Sequence, residues 1–264
     1  MGFMRIDRRR SEEEVCIWGI HPVEEFLRAR PDAVLGVYVL PSFGRTRPQR
    51  DLQRLIEGIG VAIYRVQDFS RLPVHPGTVH QGVAARVKPV WDVDFGVLLD
   101  SMAFNTALFV ICDQVTDPHN FGAILRSAVA FGVSAVIVAE RDTSPVTGVT
   151  VKASSGAVAY ARICRVPNLA AAMALCRERG VSLVGLASGG NTPVWDVDLT
   201  GPSAVVVGAE GKGLRRRVEA TCDCLVRIPH GPSVESLNVS TAAGIVLYEA
   251  ARQRGLSVRR GVSA

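Results

Sequence analysis

The sequence predicts an α/β protein in two parts: a small α/β domain, then a larger one built on a parallel sheet. Apolar runs of strand length alternate along the 264 residues with segments whose apolar positions recur at helical spacing. Several later runs, at 107–112, 135–139 and 203–207, are continuously apolar, as parallel strands covered on both faces require. Between the two regions, residues 89–105 change texture, with Pro89, then Asp92 and Asp94, then an apolar patch lacking strand alternation.

Residues 1–14 are charged, with the run Arg8-Arg9-Arg10, and read as a basic N-terminal arm. The small domain follows over 15–88. It opens with a strand at 15–18 and a helix at 21–30, where Pro22 suits a first turn and Val23, Phe26 and Leu27 share a face. A strand at 34–40, a Pro/Gly/Arg loop at 41–48, a helix at 49–59 with Leu52, Leu55, Ile56 and Ile59 in phase, and strands at 61–66 and 82–87 complete it. Residues 89–105 are read as a linker with an entry helix, and 106–264 as the second domain. Its strands are expected at 107–112, 135–139, 161–166, 181–187, 203–207 and 224–228. Its helices are expected at 118–131, 168–179 and 236–254, with Asn168 as an N-cap and Gly180 closing the middle one.

Composition excludes several classes. An apolar share of 48% is too high for a disordered chain. No apolar run approaches the roughly 20 residues of a membrane span, and no apolar secretory segment follows the N-terminus. The expectation is a cytoplasmic protein without a membrane partner. Six cysteines without a Cys-x-x-Cys pair read as reduced, buried thiols, and Cys222 and Cys224 alternate as in a strand entry. The net charge of +5 rests on arginine, 27 against 3 lysines, and four of those five charges fall after residue 104. Arginine suits planar anions and phosphates, so an anionic partner is expected on the second domain.

Three junctions in the second domain carry unusual residues. Each follows a strand and precedes a helix, where open α/β sheets form their ligand crevice. The first runs from Asp113 to Arg126, with Pro118 at a helix start and Asn120 and Arg126 six apart, on roughly one side. Arg126, among small apolar residues, needs either an anionic partner or a functional reason. The second, Val205-Val-Val-Gly-Ala-Glu-Gly-Lys-Gly-Leu214, has neither the P-loop nor the dinucleotide-fold glycine spacing. Three glycines in six residues still imply close backbone approach, and Glu210, expected to be buried among them, is a candidate acceptor. The third, from Ile228 to Gly244, places Ser236, Asn238 and Ser240 at a helix N-terminus, whose N–H groups suit a carboxylate or phosphate. No hydrolase nucleophile motif is present. His119 and His230 are candidate bases or ligands, but no metal spacing accompanies them and no metal site is expected.

Together the segments Asp117-Pro-His-Asn-Phe-Gly-Ala-Ile-Leu-Arg126, Gly208-Ala-Glu-Gly-Lys-Gly-Leu214 and Ser236-Leu-Asn-Val-Ser240 resemble the signature motifs of the SpoU (TrmH-like) RNA 2′-O-ribose methyltransferases of the SPOUT superfamily. Trp18-Gly-Ile-His-Pro-Val23 and His80-Gln-Gly-Val83 resemble that family's N-terminal L30e-like RNA-binding domain. The resemblance spans nearly the whole chain and is closest to bacterial enzymes that methylate a guanosine ribose in 23S ribosomal RNA. One departure is visible. The family usually has Met and then Gly after Ile-Pro, where this chain has Ile228-Pro-His-Gly-Pro-Ser.

The resemblance implies a trefoil-knotted methyltransferase domain that binds S-adenosylmethionine among the three loops, with Gly208, Ile228 and Leu237 at the matching cofactor positions. It implies a homodimer with its active site built across the interface. Arg126 would activate the ribose 2′-hydroxyl with help from the target's 3′-phosphate. Asn120 and Glu210 would place the ribose or order Arg126, and Ser236 and Asn238 would orient loop and substrate. RNA would be gripped by the first domain and by Arg215-Arg-Arg217. Two other readings stay open at this point: a transfer-RNA ribose methyltransferase, and a ribosome-assembly RNA-binding factor without catalysis.

Overall fold

The computed structural model describes residues 14–74, 77–101 and 104–255. The basic arm expected over 1–14 lies, Glu14 apart, outside the described residues. In chain order the elements begin with β1 (Val15–Trp18), α1 (Ile20–Ala29), β2 (Val34–Val39), α2 (Arg47–Ile59), β3 (Ile63–Arg65), β4 (Val83–Val87) and α3 (Phe95–Ser101). Next come β5 (Leu108–Cys112), α4 (Pro118–Ala130), β6 (Ala135–Ala139), α5 (Gly148–Ala153), β7 (Ile163–Val166), α6 (Leu169–Glu178) and β8 (Ser182–Leu186). The chain closes with β9 (Thr192–Pro193), β10 (Ser203–Val207), α7 (Arg216–Glu219), β11 (Cys224–Arg227) and α8 (Val239–Gln253). They fall into two compact units. One holds the chain up to Trp91 together with Pro145–Tyr160, and the other holds Asp92–Ser144 with the chain from Ala161 onward.

The first unit is a four-stranded sheet in the order β1-β4-β2-β3, antiparallel except for the β2–β3 pair. Helix α1 buries Ile20, Pro22, Val23, Phe26 and Leu27, the stripe its spacing predicts. Helix α2 starts two residues before the expected position. Thr46 caps it by accepting from the Gln49 N–H, while the Gln49 side chain accepts from the Thr46 N–H, a reciprocal box that fixes the start. Ile59, expected in the buried stripe of α2, is exposed, and Leu52 and Ile56 carry the contact. Cys16, Trp18, Phe69 and Ala84 form a cluster on one side of the sheet, and α5 packs against β1. Helix α5 was not expected. It is six residues long and starts at Gly148, where a Cβ would lie 2.1 Å from the Trp18 ring and 2.3 Å from the Cys16 carbonyl oxygen. Tertiary contact, not local propensity, selects that glycine.

The second unit is a seven-stranded sheet, all parallel, in the order β7-β6-β5-β10-β8-β11-β9. Every residue of β5, β6 and β10 is buried, which explains their unbroken apolar runs. One layer of the core packs Phe109, Ile111, Ile137, Met173, Leu183 and Val206, with α6 over it. Asn168 caps α6 by accepting from the Ala171 N–H, and Gly180, at φ +80°, carries the chain out of the helix. Helix α8 begins at Val239, three residues later than expected, because Asn238 takes the cap position by accepting from the N–H groups of Ser240 and Thr241. Ser236 therefore lies in the preceding loop. Strand β9 and helix α7 were also missed, being two and four residues long. Among the described residues no helix is long and apolar enough to cross a membrane, and all six cysteines are free thiols.

This strand order places a switch point at β5. The chain leaves it toward β6 on one side, and β10 lies on the other. The loops after β5 and β10 therefore emerge side by side at the carboxyl ends of adjacent strands, the position where such sheets hold ligands.

Candidate active site

The loop after β10 is a miniature hairpin. Ala209 and Gly213 exchange backbone hydrogen bonds at 3.0 and 2.8 Å. Gly211 and Gly213 adopt φ of +75° and +68°, which side chains disfavour. Gly208 is enclosed by the returning chain, and a Cβ there would stand 2.1 Å from the Gly213 carbonyl carbon. Close approach of backbone to backbone, inferred from the three glycines, is thus the local geometry.

Both ends of this loop are held by one residue. Asp113, fully buried at the end of β5, donates its N–H to the Val207 carbonyl. Its Oδ2 accepts from the Arg215 N–H at 2.8 Å, and its Oδ1 accepts from Arg215 Nε at 2.7 Å and Nη2 at 2.6 Å. Sequence reasoning missed Asp113. The available signal was a carboxylate directly after five apolar residues, at a strand end. Arg215, expected to face RNA with Arg216 and Arg217, is instead committed to this buried partner, while its two neighbours are exposed.

Two clefts open beside the hairpin. One, of about 430 Å³, is lined by residues after β8, β10 and β11 and before α8. Gly208, Ile228 and Leu237, the three expected cofactor positions, all line it, as do Ser236 and His230. Leu186, Ala187 and Ser188 line it too. Sequence reasoning missed them, although Ala-Ser-Gly-Gly after a strand is itself a loop signal. The second cleft, of about 270 Å³, is lined by Gln114, Thr116, Asp117, Asn120 and the hairpin tip. The two share Ala209, Glu210, Lys212 and Val239.

A closed polar cluster sits at their boundary. Asn238 uses its side-chain oxygen to cap α8, so its nitrogen must face outward, where it donates to Asn120 Oδ1 at 2.8 Å and Glu210 Oε1 at 3.1 Å. Asn120 in turn donates from Nδ2 to Glu210 Oε2 at 2.9 Å. Asn120 is 8% exposed, so these partners satisfy an amide that burial would otherwise penalise. The cap of α8 thereby fixes the orientation of both amides, and the amides fix the carboxylate. Glu210 is exposed, not buried among the glycines as expected, yet each of its oxygens is held.

The structure separates the remaining expected residues. Six helical positions turn Arg126 by about 240° from Asn120. Asn120 is buried and Arg126 is exposed on another face of α4, outside the lining of either cleft. Ser236 is exposed in the loop before α8. His119 is exposed at the start of α4 and lines neither cleft. Among the described residues no three His, Cys, Asp or Glu side chains gather as a metal site.

The second unit is thus an all-parallel α/β fold with a glycine-walled cleft at its strand ends and a held carboxylate at the rim. Residues 107–248 match the SpoU rRNA Methylase family, and residues 16–91 match a family described as RNA 2'-O ribose methyltransferase substrate binding. The chain is 39% identical over 242 residues to the 23S rRNA (guanosine-2'-O-)-methyltransferase RlmB of Vibrio parahaemolyticus, covering 90% of this chain and 96% of that protein. It is 42% identical over 242 residues to RlmB of Vibrio cholerae, with the same coverage. Among solved structures, the SpoU methyltransferase AviRb from Streptomyces viridochromogenes, in complex with AdoMet, superposes with a TM-score of 0.75 at 27% identity, over 96% of this chain and 95% of that one. The chain belongs to the SpoU rRNA methylase family.

Proposed function

We propose that this chain methylates the 2′-hydroxyl of a guanosine ribose in 23S ribosomal RNA, using S-adenosylmethionine, in the cytoplasm. The observation that carries the reading is the meeting of three distant segments, through Asn120, Glu210 and Asn238, beside the cleft that Gly208, Ile228 and Leu237 line. The 23S guanosine rests on the similarity to RlmB proteins over 90% of the chain. In this reading residues 15–88 hold RNA, 89–105 link, and 106–264 transfer the methyl group along a knotted chain.

The cleft fits the cofactor. Apolar walls from Leu186, Ile228, Leu237 and Val239 accept a purine ring, and the backbone around Gly208 has no side chain to obstruct it. The carboxylates of Glu210, Glu219 and Glu235 in the same lining favour a cationic sulfonium. S-adenosylmethionine supplies a methyl group on a positively charged sulfur. Gly208, Ile228 and Leu237 hold it. Asn120 and Glu210 position the ribose in the adjoining cleft, with Asn238 locking both and Ser236, in the lining of the larger cleft, orienting loop and substrate.

The ribose hydroxyl is a weak acid and must lose its proton as its oxygen takes the methyl. A guanidinium cannot accept that proton, so Arg126 polarises the hydroxyl and the neighbouring RNA phosphate receives it. Arg126 lies outside both clefts of its own chain, which favours its acting in the site of a second copy. Helix α8 leaves Ile245 and Tyr248 exposed, an apolar face suited to a homodimer.

The test is transfer from radiolabelled S-adenosylmethionine to purified 23S and transfer RNA from a strain lacking the gene. Label confined to one site in 23S RNA supports the proposal. Label in transfer RNA alone contradicts it.

A further inference from the structure

One residue reaches both clefts with a positive charge. The hairpin closed by Ala209 and Gly213 leaves Glu210, Gly211 and Lys212 at its tip, and Asp113 pins its base through Arg215. Lys212 lines the cofactor cleft and the smaller cleft next to it. Among the described residues lining either one, it is the only lysine or arginine, against the carboxylates of Asp117, Glu210, Glu219 and Glu235.

Its ammonium makes no hydrogen bond or ion pair with any described residue. Glu210, two positions away, is the obvious neutralising partner, but both its oxygens accept from Asn120 and Asn238. The charge is therefore kept available on a turn whose shape is fixed by two positive-φ glycines and a buried carboxylate. An ammonium is a compact donor of three hydrogen bonds, suited to a tetrahedral or planar oxyanion.

We propose that Lys212 binds an oxyanion at the boundary of the two clefts, which is either a phosphodiester flanking the target ribose or the carboxylate of the cofactor's amino-acid end. The inference rests on the functional reading above. The arrangement favours the phosphodiester. The smaller cleft, where the ribose goes, otherwise presents Asp117 and Glu210 to a polyanion, and Lys212 offsets that repulsion.

The experiment compares wild type with Lys212→Gln and Lys212→Arg. Cofactor affinity is measured by calorimetry without RNA, and RNA affinity and single-turnover transfer across a salt series. Binding of a phosphodiester predicts that Lys212→Gln leaves cofactor affinity unchanged and weakens RNA binding. It also lowers the slope of log affinity against log salt by about 0.7, and Lys212→Arg restores most of the loss. Binding of the carboxylate predicts cofactor affinity weakened about tenfold with the salt slope unchanged. If Lys212→Gln matches wild type in both affinities and in transfer, the assignment is overturned. A wild-type chain that transfers no methyl group to RNA overturns the functional reading instead, which is a separate result.

Discussion

Asn238 and Asn120, 118 residues apart in sequence, are joined by a 2.8 Å hydrogen bond whose direction is set by a helix cap. The Asn238 oxygen is occupied by the N–H groups that open α8, so its nitrogen has only Asn120 and Glu210 to serve. Folding of the last helix and assembly of the site are therefore coupled through one side chain.

That coupling separates two substitutions. Asn238→Asp keeps an acceptor for the cap but sets a second carboxylate against Glu210. It is expected to retain stability and lose methyl transfer. Asn238→Ala removes cap and cluster together, and should cost about 1 kcal/mol of stability as well as activity. Thermal melts run beside transfer assays distinguish them.

Asp113 and Arg215 make an asymmetric pair, since the carboxylate is wholly buried and the Arg215 side chain is 43% exposed. Arg215→Ala leaves a buried charge with one remaining donor, the backbone N–H, and is expected to destabilise the chain by about 3 kcal/mol. Adding Asp113→Asn removes the stranded charge and should recover part of that loss. Urea unfolding of the single and double variants measures it.

Gly208→Ala should damage the cofactor cleft before the fold. The new methyl would meet the Gly213 backbone, which cannot rotate away like a side chain. Calorimetry is expected to show S-adenosylmethionine binding weakened by at least about tenfold, with the melting transition retained.

The proposed role of a second copy is tested by complementation. Arg126→Ala and Glu210→Ala should each be inactive as homodimers. Mixed by unfolding and refolding together, they form heterodimers with one intact site of two, and about a quarter of wild-type activity should return. No recovery would place Arg126 and Glu210 in the site of one chain.

Burial pushes the thiols of Cys16, Cys112 and Cys164 up to about 12, and that of Cys176 up to about 11. In the unfolded chain such thiols ionise near about 8.5. Between those values the folded chain keeps protons that the unfolded chain has released. Stability is then full below about pH 8.5 and falls as pH rises toward 12. Denaturation midpoints at pH 8 and pH 10.5 should show the fall, and native protein at pH 8 should leave these four thiols unalkylated.

Much of this architecture was legible because its signals are local. The apolar runs of β5, β6 and β10 and the stripe of α1 announce themselves within ten residues. Asn168 and Gly180 mark the ends of α6 by their chemistry alone. The elements that escaped, α5, α7 and β9, are short and owe their form to neighbours distant in sequence, as Gly148 does to Trp18. The site follows the same division. Asn120, Glu210 and Asn238 stood out within their motifs, while Gly208, Ile228 and Leu237, which line the cleft, came from the family resemblance alone. Asp113 did not, because its importance lies in Arg215, 102 residues away. The exposure of Arg126 also escaped, since six residues looked like nearly two turns while the helix rotates it to another face.

The identity of the methylated nucleoside decides whether this chain acts on a ribose hydroxyl. 23S RNA labelled by the purified chain from radiolabelled S-adenosylmethionine is digested to nucleosides and separated. The label is expected to run as 2′-O-methylguanosine. Label in a base-methylated nucleoside would contradict it, since the held carboxylate and paired amides would then serve a different acceptor.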